Sequence, residues 1–159
     1  MGGKTMVEVE VEDLEAPPVA VMLRRPAVLI RHELMAGLHA AGFDDVLPAH
    51  LGVFQYPGPD GQRPGVLAAR TRASKQAMNH LLHQLEAGGY LVREAHPRDR
   101  RTRVVRLTDR GWAALRVIRE TALRVESAWA EALGTETYRQ LREGLARLES
   151  VLDSTLEDD

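Results

Sequence analysis

The sequence contains no cysteine among its 159 residues. That absence excludes disulfide frameworks, thiolate catalysis, cysteine-based redox sensing and cysteinyl metal sites, since each depends on a thiol or a thiolate. No run approaches the roughly eighteen apolar residues of a membrane span, and the N-terminus lacks a basic segment followed by an apolar one. We therefore expect no membrane partner, no signal peptide and a cytoplasmic location.

Motifs of the common enzyme classes are missing as well. The sequence has no glycine-rich phosphate loop, no serine nucleophile motif and no pair of acids in an apolar setting. His80 and His83 are three residues apart without a nearby cluster of carboxylates, which does not favour a metal site. We predict a protein that is not an enzyme and that has no cofactor and no metal.

What the chain does have is an uneven distribution of charge. Its formal net charge is −2. From Gln62 to Arg110, however, eleven lysines and arginines stand against four acids, a net +7, and the rest of the chain is net −9. Such a basic block is expected to attract a polyanion in one orientation, because the acidic flanks repel it. The alternative is a solvated charged surface.

Helical periodicity marks both ends of the chain. After an arm over 1–18, apolar residues recur at steps of three and four from Val19 to Ala41, which predicts an amphipathic helix that starts or kinks at Pro26. Thr108 is placed to cap a long helix, and Gly134 separates it from a last one. These seams predict a homodimer interface, with packing inside one chain as the alternative. The residues assigned to the interface are Leu34, Leu38, Ile118, Val125, Trp129, Leu141, Leu145, Leu148 and Leu152.

Short helices followed by a hairpin are predicted for the middle of the chain. The helices are expected over 47–56, Val66–Thr71 and Lys75–Ala87. Ser74 is placed as the N-cap of the third. Tyr90–Ala95 and Thr102–Leu107 are rich in β-branched and aromatic residues and bracket the polar loop HPRDRR, which predicts a β-hairpin.

These elements define a fold class. Two short helices joined by a three-residue turn, then a hairpin, form a helix-turn-helix with a wing. We expect a mainly α protein with a small β-hairpin wing (α+β), a winged helix-turn-helix with N- and C-terminal dimerisation helices. The predicted divisions are a flexible acidic N-terminal arm over 1–18, an N-terminal dimerisation helix over 19–47, a winged helix-turn-helix DNA-binding domain over 48–108 and C-terminal dimerisation helices over 109–159.

The helix predicted over Lys75–Ala87 has two chemically different faces. Its apolar residues are Met78, Leu81, Leu82 and Leu85, and its polar residues are Lys75, Gln76, Asn79, His80 and His83. The polar face carries one charge, which is positive, and its amides, imidazoles and amine can all donate hydrogen bonds. A helix that reads base edges in the major groove needs such a face. A plain solvated face is the alternative.

Arginines dominate the predicted wing. They are placed to contact the sugar-phosphate backbone or an adjacent minor groove. Asp99 is the one acid among them, and a charge-assisted hydrogen bond to Arg101 would hold the loop in shape. The DNA-binding residues predicted in total are Arg72, Ser74, Lys75, Gln76, Asn79, His80, Arg98, Asp99, Arg100, Arg101 and Arg103.

From Leu67 to Gly111 the sequence LAARTRASKQAMNHLLHQLEAGGYLVREAHPRDRRTRVVRLTDRG resembles the MarR-type winged helix-turn-helix transcriptional regulators. In that family the wing carries Asp-x-Arg, followed by a Leu-Thr-x-x-Gly entry into a long helix. The matching residues are Asp99-Arg100-Arg101 and Leu107-Thr108-Asp109-Arg110-Gly111. The order of the predicted elements agrees with the family over nearly the whole chain.

The resemblance implies a sequence-specific duplex-DNA-binding transcriptional regulator, which we predict to be a repressor acting as a homodimer on a palindromic operator. It implies that the terminal helices form the dimer, that two recognition helices enter successive major grooves and that Arg101 occupies the minor groove. It also implies a small aromatic or anionic effector that binds between the dimer helices and the DNA-binding lobe and releases the DNA.

Histidine and aromatic side chains near the helix junctions are the candidates for contacting such an effector. They are His32, His39, His50, Phe54, Tyr56 and Trp112. Their alternative role is in the core, where a single histidine at a helix interface is usually hydrogen-bonded.

A winged-helix module that binds a protein partner or RNA is the alternative function. The hairpin arginines suit either kind of partner. RNA readers, however, display aromatic residues on which bases stack, and Tyr90 is the only aromatic residue between Tyr56 and Trp112. The scarcity of aromatic residues therefore favours duplex DNA.

Overall fold

The computed structural model describes residues 17–55, 61–96 and 99–157, the segments 99–102 and 154–157 as backbone only. Within these ranges the chain forms helices and one two-stranded antiparallel sheet, which confirms the predicted fold class. The elements are α1 (Val19–Ala40), a 3-10 turn (Pro48–His50) leading into α2 (Leu51–Phe54), α3 (Pro64–Arg70), α4 (Lys75–Ala87), β1 (Leu91–His96), β2 (Asp99–Leu107), α5 (Asp109–Leu133) and α6 (Thr135–Glu157).

The helix boundaries follow local chemistry. Ser74 Oγ accepts a hydrogen bond from the Ala77 N–H at 3.1 Å, and Thr108 Oγ1 accepts one from the Gly111 N–H at 3.2 Å, so both predicted N-caps are confirmed. The helix α1 begins at Val19 and runs through Pro26, so it does not start at the proline. It ends before Gly42, whose φ of +84° is the left-handed conformation that glycine adopts without strain.

The wing is longer than the sequence predicted. The strand β2 begins at Asp99. Asp99–Arg101 therefore lie in the strand, and the prediction that they belong to the loop was wrong. The register runs from Leu91↔Leu107 to Ala95↔Arg103 and is then broken before His96↔Asp99. Such an irregularity leaves extra residues of the longer strand unpaired, while the residues on either side of it stay paired with the other strand. A short bridge from Gln62 to Val105 extends the sheet on its other side.

A single core joins the wing, α4 and the base of α5. Tyr90 lies at its centre, 1% exposed, with its ring 6.2 Å from that of Phe43 and 6.0 Å from that of Phe54. Because the two phenylalanines come from the α1–α2 region, these contacts fasten that region to the wing.

The packing of α1 against α5 determines which apolar residues of these helices are buried and which remain exposed to solvent. At the crossing, a Cβ on Gly37 would lie 2.5 Å from Thr121 Oγ1, so the two helices approach closely there. Leu38, next to that crossing, is fully buried in the core of its own chain. Its assignment to the dimer interface was therefore wrong, because a side chain covered within one chain has no surface left for a partner.

The other residues assigned to the interface differ in exposure. Leu34, Ile118, Val125 and Trp129 are half-buried. The leucines of α6 are between 41% and 47% exposed and form an apolar stripe, called here the α6 leucine stripe: Leu141, Leu145, Leu148 and Leu152. Among the described residues no helix is long and apolar enough to cross a membrane.

Candidate nucleic-acid interface

The turn before α4 places an arginine in an uncommon conformation. Arg72 has a φ of +51°, the one positive value at a non-glycine residue in the described part of the chain. An arginine in the left-handed region costs free energy that glycine would not. The conformation leaves Arg72 exposed beside the N-terminus of α4, where helix N–H groups favour an anion.

The helix α4 presents its two faces as predicted. Met78, Leu82 and Leu85 are buried and Leu81 is half-buried, whereas the polar residues of the opposite face are all exposed. The predicted residues that the structure brings together at this end of the molecule are Arg72, Ser74, Lys75, Gln76, Asn79 and His80. All six are exposed and can donate hydrogen bonds from their side chains, and two of them, Arg72 and Lys75, are positively charged.

The wing contributes fewer described side chains. Arg103 is exposed on β2, opposite Ala95 of β1. Asp99, Arg100 and Arg101 are described by backbone alone, so the pairing of Asp99 with Arg101 stays a prediction. Arg98 lies outside the described residues.

Arg93 of β1 connects the wing to α4, and sequence reasoning missed this contact. The Arg93 Nη1 donates to Asn79 Oδ1 at 3.3 Å, and its Nη2 donates to the Asn79 carbonyl oxygen at 3.2 Å. Its Nε lies 3.3 Å from Glu86 Oε2. No short-range motif signals this contact, because the partners are separated by a turn and belong to different elements.

Arg110, in the first turn of α5, belongs to a polar cluster. Its Nη2 donates to both carboxylate oxygens of Asp45, at 3.0 and 3.2 Å, and to the Tyr90 hydroxyl at 3.0 Å. The guanidinium carbon lies 4.5 Å from the centre of the Tyr90 ring. The Tyr90 hydroxyl donates to Asp45. The three residues join the α1–α2 loop, the start of the wing and the start of α5.

The cluster shifts the pKa values of its members. The hydrogen bond from Tyr90, aided by Arg110, lowers the pKa of Asp45 below its ordinary value of 3.8. Burial raises the pKa of Tyr90, and its hydrogen bond to Asp45 acts in the same direction. The hydrogen bond to Tyr90 raises the pKa of Arg110. At neutral pH the cluster is a carboxylate, a neutral phenol and a guanidinium.

We expect Asp45→Asn to reduce the dependence of stability on acid pH. The pKa of Asp45 in the folded protein lies below 3.8, its ordinary value. The carboxylate therefore contributes its full stabilisation above that pH, and this stabilisation is lost as the pH falls through the pKa of the folded state. Urea denaturation between about pH 5 and about pH 3 should show a smaller loss of unfolding free energy in Asp45→Asn than in the unmodified protein. Asp44→Asn removes the neighbouring carboxyl outside the cluster and is the control. Equal acid slopes for Asp45→Asn and the unmodified protein would contradict this role.

A half-open cavity of about 900 Å³ lies between α1, the α2 segment and α5. Its walls are mostly apolar, and they include two cations, Arg31 of α1 and Arg119 of α5. The apolar lining comes mainly from Ala27, Ile30, Leu34, Val53, Phe54, Met78, Leu81, Leu115, Ile118 and Ala122. Leu34 and Ile118, both assigned to the dimer seam, thus face this space, and sequence reasoning missed the two arginines.

Of the six effector candidates, the structure places Phe54 at the cavity. His32, His39 and Trp112 are exposed elsewhere, and Tyr56 lies outside the described residues. His50 is buried, with Nδ1 accepting from the Leu47 N–H at 3.1 Å and Nε2 3.0 Å from Gln84 Oε1. Because Nδ1 accepts, Nε2 carries the proton and donates to Gln84, which ties the α2 segment to α4. In the described part of the chain no three His, Asp or Glu side chains group to hold a metal ion.

Sequence comparison identifies one part of the chain. The MarR family profile matches residues 56–102, a range that includes α3, α4, β1 and the beginning of β2. No curated protein matches the chain.

Solved structures match nearly the whole chain. The transcriptional regulator Tm0710 from Thermotoga maritima is 25% identical over 88% of this chain and 97% of its own, with a TM-score of 0.56. The transcriptional repressor CouR bound to a 23-mer DNA duplex is 24% identical over 89% and 99%, with a TM-score of 0.65. The Mycobacterium tuberculosis MarR family protein Rv2887 in complex with salicylic acid is 24% identical over 85% and 98%, with a TM-score of 0.60.

Proposed function

We propose, given that the chain is a MarR-family transcriptional regulator with a DNA-binding winged helix, that it is a repressor acting as a homodimer on a palindromic operator. A small aromatic or anionic ligand in the cavity between α1 and α5 releases the DNA. The protein acts in the cytoplasm by binding and not by catalysis.

The observation that carries this proposal is the exposed face of α4. The side chains of Lys75, Gln76 and Asn79 stand free of the core, on a helix whose opposite side is held by buried Met78 and Leu82. A helix fixed in this way can enter the major groove without rearrangement. The amides and the amine then meet base edges, and Arg72 and the N-terminal N–H groups of α4 meet phosphates.

The wing supplies the second contact. Arg103 is exposed on β2, in the strand that also carries Arg100 and Arg101. We assign Arg101 to the minor groove, where a guanidinium gains from concentrated negative potential, and the other wing arginines to the backbone. Contacts from α4 and the wing together set the orientation of one half-site.

Two half-sites require two subunits. The α6 leucine stripe and the exposed Val21, Met22, Val28 and Leu29 of α1 leave apolar surface at the ends of the chain. Apolar patches of this kind are typical of protein interfaces, and helical seams commonly pair between subunits. A twofold dimer mirrors a palindromic operator, because each recognition helix then reads the same sequence.

Selection from random duplex DNA tests the proposal. We expect the selected DNA to contain an inverted repeat, and the affinity of the protein for it to fall steeply with salt. Arg101→Ala should weaken binding to this DNA by at least about 1 kcal/mol, the scale of a charge-assisted hydrogen bond. The control is Arg147→Ala, which removes an exposed arginine from α6, far along the chain from the wing. Recovery of no duplex sequence, with tight binding to RNA or to a protein instead, would reject the proposal.

The cavity supports the ligand part of the proposal. Its apolar walls suit an aromatic ring, and Arg31 and Arg119 suit a carboxylate. The walls belong both to α1 and α5 and to the α2 segment and α4, so a ligand there would contact both halves of the molecule. Occupation of the cavity would therefore favour one relative position of α4 over another. The similar Rv2887 has been crystallised with salicylic acid, which makes salicylate the first probe.

We expect salicylate to release the selected operator from the unmodified protein and to do so at a concentration at least about tenfold higher for Arg119→Gln, because one charge-assisted contact is lost. Arg116→Gln removes an exposed arginine from the same helix, one turn earlier and outside the cavity, and should respond like the unmodified protein. Fluorescence anisotropy of labelled operator measures both. An identical response of the two variants would place the ligand elsewhere.

A further inference from the structure

The contact between Arg93 and Asn79 fixes the orientation of the Asn79 side-chain amide on the exposed face of α4. A guanidinium has donors only, so the atom of the Asn79 amide that meets Arg93 must be the oxygen. The Oδ1 therefore accepts from Arg93 Nη1, while the second Nη donates to the backbone oxygen of the same residue. The Asn79 Nδ2 group, which only donates, is left for the exterior.

We propose that Arg93 is a specificity-determining residue that acts through Asn79 and makes it select guanine over adenine. The inference rests on the proposed reading of DNA by α4. A free asparagine amide pairs with adenine by both ends, donating to N7 and accepting from the N6 amino group. In this structure Arg93 occupies one lone pair of Oδ1, and its positive charge disfavours the approach of a second donor such as the adenine N6 amino group. The amide then acts mainly through its Nδ2 donor, for which the major-groove edge of guanine offers two acceptors, N7 and O6, and that of adenine one, N7.

Glu86 pairs with the Arg93 guanidinium by charge, without a hydrogen bond to its Nε. Its carboxylate lies 3.3 Å from Arg93 Nε, two helical turns after Asn79 on α4. The Arg93 side chain is 22% exposed, so it is largely covered by its partners. Paired with an acid and covered in this way, Arg93 is poorly placed to contact a phosphate, and its influence on DNA passes through Asn79.

Selection from random duplex DNA, carried out with four proteins, tests this inference. They are the unmodified protein, Asn79→Ala, Arg93→Met and the double variant. The base pair read by Asn79 is the one whose preference disappears in Asn79→Ala. At that position we expect guanine for the unmodified protein and a ratio of guanine to adenine at least about fivefold lower for Arg93→Met, since a freed amide regains its pairing with adenine.

Two further variants separate this role from a structural one. Arg106→Met removes an arginine from the neighbouring strand, paired with Glu94, and should leave the base preference unchanged. Arg93→Lys keeps the charge beside Glu86 but not the planar fork, and should shift the preference in the same direction to a smaller extent. It serves in place of Arg93→Met if thermal melting shows that the methionine variant does not fold.

The outcomes are distinct. Three results would overturn the inference. The first is an unchanged guanine-to-adenine ratio in both Arg93 variants, and the second is an Asn79→Ala protein that keeps its full base preference. The third is a change in the ratio on Arg93→Met that is as large in the double variant as in the protein with Asn79. In each of these cases the unmodified protein still selects an operator, and the proposed function stands. If the unmodified protein selects no duplex sequence, the proposed function fails and the inference fails with it.

Discussion

Replacing Gly111 by alanine is expected to lower the free energy of unfolding by about 3 kcal/mol or more, at the upper end of the cost of overpacking a core. A Cβ at this position would lie 2.1 Å from the Tyr90 carbonyl oxygen and 3.1 Å from Leu107 Cβ. That carbonyl accepts from the Thr108 N–H at 3.0 Å, so it is held in place and cannot yield easily. The better helix propensity of alanine, about 1 kcal/mol, offsets only part of this.

Urea denaturation of Gly111→Ala, with Gly65→Ala as the control, measures the effect. A Cβ on Gly65, in the first turn of α3, would meet no atom within 4 Å, so that variant should be as stable as the unmodified protein or slightly more so. If the two variants had the same stability, α5 would not approach the wing as closely as the structure places it. This contact explains physically why the Leu-Thr-x-x-Gly entry ends in glycine.

Leu145→Asp is expected to abolish the dimer and, with it, high-affinity binding to the operator. The side chain is 41% exposed in the single chain, within the α6 leucine stripe. In the proposed dimer the partner covers this stripe, and a carboxylate there would lose its hydration without gaining a partner. Sedimentation velocity should therefore show a single subunit at concentrations where the unmodified protein is a dimer.

Ser150→Asp tests whether charge alone has this effect. Ser150 is exposed on α6, away from the leucine stripe, and bonds to the Ala146 carbonyl of its own helix. It gains the same carboxylate but should still sediment as a dimer. A Leu145→Asp protein that remained dimeric would show that the subunits pair through another surface, for which the exposed apolar residues of α1 are the candidate.

Local chemistry made much of the DNA-binding domain predictable. Ser74 and Thr108 cap their helices through their own side chains and the next turn. The apolar spacing of α4 needed only a 3.6-residue period to identify its buried face, and two segments rich in β-branched and aromatic residues around a polar loop identified the hairpin. Each of these signals acts over a few residues, which is why sequence could report it.

Several positions that the sequence could not place depend on packing between distant segments. Leu38 fits a dimer seam by its spacing, yet the close approach of α1 and α5 at Gly37 buries it within one chain. His50 looked available to a ligand until Leu47 and Gln84 were seen to engage both ring nitrogens. Arg110, for which the sequence predicted no contact, pairs with Asp45, 65 residues away.

The amino-acid order alone was enough to identify the helices and the hairpin, the two N-caps, the donor-rich face of α4 and the basic character of the middle of the chain, because these are properties of neighbouring residues. Only the folded chain determined which cations still face outward, which apolar positions remain uncovered and where a cavity opens beside Arg31 and Arg119. Those properties depend on contacts between segments far apart in sequence, where a rotation of a helix by half a turn about its axis exchanges a buried side chain for an exposed one.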